Sequence, residues 1–236
     1  MAYRSSVGVQ KVFCTVKKLF VLGLPGSGKS TISRNIVVYV KQHHPNWFSE
    51  RVGDYQILQK MFQEDTEQEF FNVEQPGGFY IHNSSVYNIA LKKLQENVLS
   101  LQYKQNSLII IEFARSDYKE AFNHLKHEFL RDAYFLFLHA KIDICKSRVS
   151  NRFIRQDYPS DDHFVPDRTF EAYSGKNNEQ YFVALCSSLR NEYGIDHQNM
   201  RILDMGSTEK DIVDAANHFI DLILQQKADT ITSSTE

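Results

Sequence analysis

The stretch F-V-L-G-L-P-G-S-G-K-S-T, Phe20 to Thr31, decides how this chain is read. An apolar run ends at Gly23, then Pro25, Gly26 and Gly28 interrupt it, and a polar segment with helical periodicity begins at Lys29. Clustered glycine and proline ordinarily mark a turn. Residues 23–30, however, fit GxxxxGK[ST] at every fixed position, which average residue usage produces by accident in about 1 in 100 chains of this length. The context narrows it further, because a phosphate loop must follow a buried strand and open a helix, and this stretch does both. Glycines let backbone N–H groups turn inward as an anion-binding nest. The helix N-terminus adds its dipole and unpaired amides. Lys29 suits contact with β- and γ-phosphates, and the Ser30 hydroxyl suits Mg²⁺. Gly23, Pro25, Gly26, Ser27, Gly28, Lys29, Ser30 and Thr31 are the expected phosphate-binding residues.

The surrounding composition is that of an ordinary globular domain. The chain has 236 residues, 42% hydrophobic and 24% charged, enough for a continuous core. A net charge of −2 gives no global drive toward duplex nucleic acid or anionic lipid. Cys14, Cys145 and Cys186 show no CxxC spacing, so neither a zinc site nor a disulfide framework is expected. No apolar run has the length of a membrane span and the N-terminus has no signal-peptide core, so the expected home is the cytoplasm.

Outward from the loop, apolar strands alternate with helices. The run 19–23 reads as a strand buried on both faces, followed by a helix carrying Ile32, Ile36, Val37 and Val40 on one side. Residues 47–55 are a weaker strand candidate, 55–65 a short helix, and 65–83, with Pro76-Gly77-Gly78, a loop or lid. Val86, Ile89, Ala90, Leu94, Val98 and Leu101 predict a helix from about 84 to 103, capped by Asn83 or Ser84. Residues 107–113 and 133–139 are strands, each followed by a helix, over 117–126 and about 142–156. One long helix is expected from 169 to 193, ending at Gly194. A last strand at 201–205 leads to a helix opened by Thr208, with Asp211 in capping-box register. Five near-continuously apolar strands separated by helices indicate a parallel sheet covered on both faces, hence a single α/β domain over 18–226. Residues 1–17 form an arm or an extra strand, and 227–236 a disordered tail.

Ligands of such sheets bind beyond the carboxyl ends of the strands, so charges there are the candidates for chemistry. Asp54 stands at the end of the second strand, as a general base or hydroxyl-orienting group, or as a helix cap. Glu112 ends an otherwise apolar strand, either ligating a metal-bound water or pairing with Arg115. Arg115 itself suits a substrate-anion clamp. Arg148, Arg152 and Arg155 fall at i, i+4 and i+7, on one face of a helix that runs into a polar, proline-containing segment. This is either a solvated basic face or a lid, at about 148–168, that brings cations over a transferred phosphoryl group. Arg148 and Arg152 are the better catalytic candidates, and Arg155 a substrate contact.

These segments resemble the P-loop kinase superfamily, in the branch of nucleoside monophosphate kinases, adenylylsulfate kinase, polynucleotide 5′-kinases and zeta-toxin-like kinases. V-L-G-L-P-G-S-G-K-S-T is similar to their phosphate loop, 133–152 to their fourth strand and arginine-bearing lid helix, and 201–212 to their last strand and adenine-side turn. The resemblance implies a three-layer P-loop fold with five parallel strands in the order 2-3-1-4-5. It also implies ATP and Mg²⁺ as cofactors, and Gly206 and Ser207 beside the base. The expected activity is transfer of the ATP γ-phosphoryl group to a small, nucleoside- or nucleotide-like acceptor. Catalysis falls to Lys29, Asp54, Glu112, Arg148 and Arg152, acceptor binding to Asp54, Arg115 and Arg155, and metal ligation to Ser30 and Glu112. Alternatives are a polynucleotide 5′-end or sugar-nucleotide kinase, and a P-loop ATPase acting on a partner protein. A regulatory GTPase would need NKxD and DxxG elements, which are missing. The net charge disfavours a nucleic-acid end as partner, no membrane partner is expected, and monomer and homodimer stay open.

Overall fold

The structure, a computed structural model, describes residues 14–74, 78–103, 105–155, 165–173, 175–176 and 178–226, without the side chains of Glu74, Arg152, Phe153, Ile154, Arg155 and Asp167. The expected arm up to residue 13, the middle of the expected lid (156–164) and the expected tail (227–236) lie outside the described residues. The run before the loop is β1 (Val16–Gly23), and α1 (Lys29–His43) follows directly. Next come β2 (Phe48–Gly53), α2 (Tyr55–Glu64), β3 (Phe71–Glu74), β4 (Gly78–Ile81), α3 (Ser85–Ser100) and β5 (Ser107–Phe113). The second half runs α4 (Tyr118–Phe122), α5 (His127–Arg131), β6 (Ala133–His139), α6 (Ile142–Arg155), α7 (Asp167–Glu171), α8 (Glu179–Tyr193), β7 (Met200–Asp204) and α9 (Glu209–Gln225). No helix among the described residues is long and apolar enough to cross a membrane.

β2, β5, β1, β6 and β7 pair in that order, all parallel. Numbered by their own succession, these five strands read 2-3-1-4-5, the order expected of a P-loop sheet. The two-residue alternation of each strand splits the core into two layers. Leu19, Val21, Leu108, Ile110, Leu136 and Leu138 face α1, α6 and α9. Phe20, Leu22, Ile109, Ile111, Phe135 and Phe137 face α3, α4, α5 and α8. Both faces being covered is why β5 and β6 and the second half of β1 are largely apolar and buried, whereas the edge strand β2 carries Ser49, Glu50 and Arg51.

Three expectations are corrected. The stretch expected as a loop or lid, 65–83, contains two strands: β3 and β4 form an antiparallel hairpin in which Phe71 opposes Ile81 and Val73 opposes Phe79. It builds a small third core of its own, with Phe71 and Phe79 packed among Leu58, Phe62, Val86 and Ala90. The helix expected over 117–126 ends at Phe122, because the buried Gln95 Oε1 accepts the Lys126 amide (2.6 Å) and Leu125 turns into the core. The helix expected over 169–193 is two. Gly175 takes a left-handed conformation (φ 74°), and the Asn178 side chain caps α8 by accepting the Tyr181 amide. Gly194 ends α8 in the left-handed region, and Thr208 caps α9 through the Asp211 amide, both as expected.

Candidate active site

The loop of residues 23–30 leaves β1 and opens α1. Gly26 and Gly28 have φ of 78° and 100°, a region side chains strongly disfavour. Gly26 is also pressed against α6, where an added Cβ would stand 2.5 Å from the Cys145 carbonyl oxygen. α1 has Gly28 as its N-cap, no side-chain cap bond and no acid in its first turn. No acid of its own first turn offsets the positive end of its dipole, and Gly28, Lys29 and Ser30 present that end to a cavity of about 760 Å³. Pro25 and Gly26 line the same cavity, whereas Thr31 is exposed. Ser27 is buried, its hydroxyl without a hydrogen-bond partner among the described residues and its amide donating to Leu24 O. The Lys29 ammonium donates to the loop's own carbonyls, Gly23 O (3.0 Å) and Leu24 O (2.8 Å).

Behind the loop stands Tyr118, fully buried at the start of α4. Its hydroxyl accepts from Gly23 N–H (2.8 Å) and donates toward Gly23 O (3.0 Å). The first glycine is thus gripped by both backbone groups where β1 gives way to the loop. Burial pushes the Tyr118 phenol well up, so it stays a neutral donor and acceptor. Sequence reasoning missed this residue, since a tyrosine opening an amphipathic helix reads as core.

Two ion pairs close the carboxyl ends of β2 and β5. Glu112 does not pair with Arg115. Its Oε1 accepts from Arg51 Nε (2.9 Å) and its Oε2 from Ser30 Oγ (3.2 Å). Arg115 donates instead to Asp54 Oδ2 (2.6 Å), with both groups under 10% exposed. It also donates to Ala114 O and Tyr87 O, and its guanidinium lies 4.5 Å from the centre of the Tyr87 ring. Asp54 stands at the N-cap of α2, yet its side chain makes no cap bond there. The exchange of partners follows from register: Gly53 pairs with Glu112, and the Asp54 amide donates to Glu112 O. Arg51, on the same strand, thereby reaches the acid that Arg115 leaves. The signal that could have revealed Arg51 is a lone arginine two residues before the end of a sheet strand.

One cavity joins these groups. Lys29, Ser30, Arg34, Arg51, Asp54, Glu112 and Arg115 all line it, and its far wall comes from α2, β4, α3 and the segment after residue 164. Val149 of α6 reaches it, while Arg148 is half-buried on α6 and does not line it. The side chains of Arg152 and Arg155 lie outside the described residues. Gly206 and Ser207 sit exposed in the turn after β7 and do not line the cavity. The described residues hold no group of three or more His, Cys, Asp or Glu side chains that could bind a metal by themselves. Ser30 Oγ and the Glu112 carboxylate are the pair of hard oxygen donors at the loop, a set that fits a cation keeping most of its waters.

No protein-family model and no curated protein matches this chain. Solved structures do. Kti12 from Chaetomium thermophilum, in complex with ADP-AlF3, aligns with a TM-score of 0.55 over 86% of this chain and 97% of its own, at 15% identity. A putative kinase from Chloroflexus aurantiacus (TM-score 0.49) covers 91% of this chain and 100% of its own at 16% identity. Shikimate kinase from Acinetobacter baumannii in complex with shikimate (TM-score 0.43) covers 89% and 94% at 14% identity. At such identities the likeness is one of fold. The chain has the α/β fold of P-loop NTPases.

Proposed function

We propose that this protein is an ATP-dependent phosphotransferase acting on a small, nucleoside- or nucleotide-like acceptor. The observation that carries the proposal is a single cavity shared by the phosphate loop and the Asp54–Arg115 pair, so that donor phosphates and an acceptor hydroxyl can meet. That Kti12, of the same fold, was solved with ADP-AlF3 supports a nucleotide on the loop. The loop amides and the α1 N-terminus hold the β- and γ-phosphates. Lys29, resting on Gly23 O and Leu24 O, transfers its hydrogen bonds to them. Ser30 and Glu112 would hold Mg²⁺, which supplies charge neutralisation to the phosphate oxygens. Asp54, oriented by Arg115, accepts the hydroxyl hydrogen of the acceptor and takes its proton. The acceptor oxygen forms its bond to the γ-phosphorus, the bridging bond to ADP breaks, and ADP leaves. Arg152 supplies a further cation over the transferring group and Arg155 contacts the acceptor; Arg148, which does not line the cavity, joins them only if α6 shifts. Gly206 and Ser207 lie beside the adenine.

The test is transfer from γ-labelled ATP with Mg²⁺ to panels of nucleosides, nucleotides, oligonucleotide 5′ ends and small hydroxylated metabolites. Label is expected on a small acceptor. Lys29→Ala should lower the rate by at least about 100-fold, and Asp54→Asn by roughly 100- to 10,000-fold. Label appearing only in water or on a protein partner would sink the proposal in favour of an ATPase.

A further inference from the structure

The hairpin β3–β4 was invisible to sequence reasoning, yet its strand β4 forms part of the cavity's far wall, together with α2, α3 and the segment after residue 164. The far half of the cavity is lined by five aromatic rings, those of Tyr55, Phe79, Tyr80, Tyr87 and Tyr173. Tyr55 and Phe79 lie nearly parallel, 12° apart with centroids at 6.2 Å. Phe79 is anchored from behind by Phe62 and Phe71, at 5.0 and 5.2 Å, so this part of the wall is held by its own core. Arg168, at the start of α7, lays its guanidinium 3.7 Å from the centre of the Tyr80 ring. The hairpin is thereby tied to the segment that follows the expected lid.

This lining discriminates among acceptors. Aromatic faces bind flat rings by stacking, and do so for any base because every base has a π-face. A polyol has no flat face to set on these rings and would meet only the tyrosine hydroxyls among them, forgoing the stacking. Charge discriminates as well. The two guanidinium groups beside the point of transfer already hold carboxylates, Arg115 on Asp54 at 2.6 Å and Arg51 on Glu112 at 2.9 Å, while Arg168 covers the Tyr80 ring. An acceptor phosphate at the point of transfer would either sit beside the Asp54 carboxylate or draw Arg115 away from it. The second course leaves a buried carboxylate unpaired at the point where the hydroxyl must be oriented.

We infer that the acceptor is an uncharged hydroxyl-bearing molecule built on a flat heteroaromatic ring, a nucleoside in chemical class, with its ring on the hairpin wall and its hydroxyl at Asp54. The inference rests on the phosphotransferase reading above and narrows it.

The deciding experiment presents the full chain, with γ-labelled ATP and Mg²⁺, with adenosine, guanosine, cytidine and uridine. The same four compounds as 5′-monophosphates, and glucose and glycerol, are run in parallel. Nucleosides should be labelled with a kcat/KM roughly tenfold or more above the other two groups. Tyr80→Ala and Tyr80→Leu should both raise the nucleoside KM about tenfold, through the lost ring face, while the KM for ATP stays within about twofold. A preference for monophosphates or polyols would overturn the inference and leave the phosphotransferase reading standing. So would an unchanged nucleoside KM in both folded Tyr80 variants. Label in water alone would remove the phosphotransferase reading, and this inference with it.

Discussion

Arg115 does three jobs with one side chain: it pairs with Asp54, donates to the Tyr87 carbonyl and covers the Tyr87 ring. Only a planar guanidinium with several donors can do this, so lysine is no conservative replacement. Arg115→Met leaves Asp54 buried and unpaired and should cost about 3–5 kcal/mol in denaturant unfolding. A loss below about 1 kcal/mol would show that water replaces the pair. Tyr118 acts on the loop from the other side. Tyr118→Phe keeps the packing but strips Gly23 of its hydroxyl partner, which should cost about 1–3 kcal/mol. Nucleotide titration of the same variant should show affinity weakened several-fold. An unchanged nucleotide affinity would reduce Tyr118 to a core residue. Glu112, Asp54 and Lys29 were legible one by one, as polar residues where an apolar pattern stops. Their partners were not, because a sequence states which residues are charged and not which of them meet.

The hairpin is the element that the sequence concealed. Its strands are four residues each, 71–74 and 78–81, and only β3–β4 pairing makes them strands at all. A two-stranded ribbon is marginal without a surface to pack on. Here Asp65 anchors it, its carboxylate accepting the amides of Glu69, Phe70 and Phe71, each at 2.9 Å. Burial works in the opposite direction, yet the Phe70, Glu69 and Phe71 amides, with His82 nearby, hold the Asp65 carboxyl below its usual value. A carboxyl lowered in the folded state supports the fold above its unfolded value and withdraws that support as pH falls through the folded one. Amide exchange in residues 69–73 should therefore rise, after correction for intrinsic rates, as pH drops below about 4. Asp65→Ala should show faster exchange already at pH 7. Equal protection in the variant and the parent would mean that Phe71 and Phe79 hold the hairpin by packing alone.

Across the whole molecule, the ends of the domain are joined by Lys17. Sitting in β1 with 6% exposure, its ammonium donates to the carbonyls of Ile223 and Gln226 (2.7 Å) at the end of α9, and lies near the Trp47 and Tyr134 rings. A cation there satisfies the unpaired carbonyls of a helix C-terminus and opposes its dipole. Lys17→Met should lower stability by about 1.5–3 kcal/mol, a fall in Tm of roughly 2–4 °C per kcal/mol for a domain of this size. A melting point unchanged within error would show that the methylenes alone provide the attachment. The phosphate loop, the apolar strands, their alternation with helices and the caps at Thr208 and Gly194 were set by the sequence itself. Each is written in consecutive residues whose period, turn chemistry or capping acts within a few positions. Only the tertiary structure decided the pairing of Arg51 with Glu112 and of Asp54 with Arg115, both 61 residues apart, and the aromatic wall that faces them. Those contacts depend on the register of β2 against β5 and on a hairpin packed against α2 and α3, and no local preference encodes either.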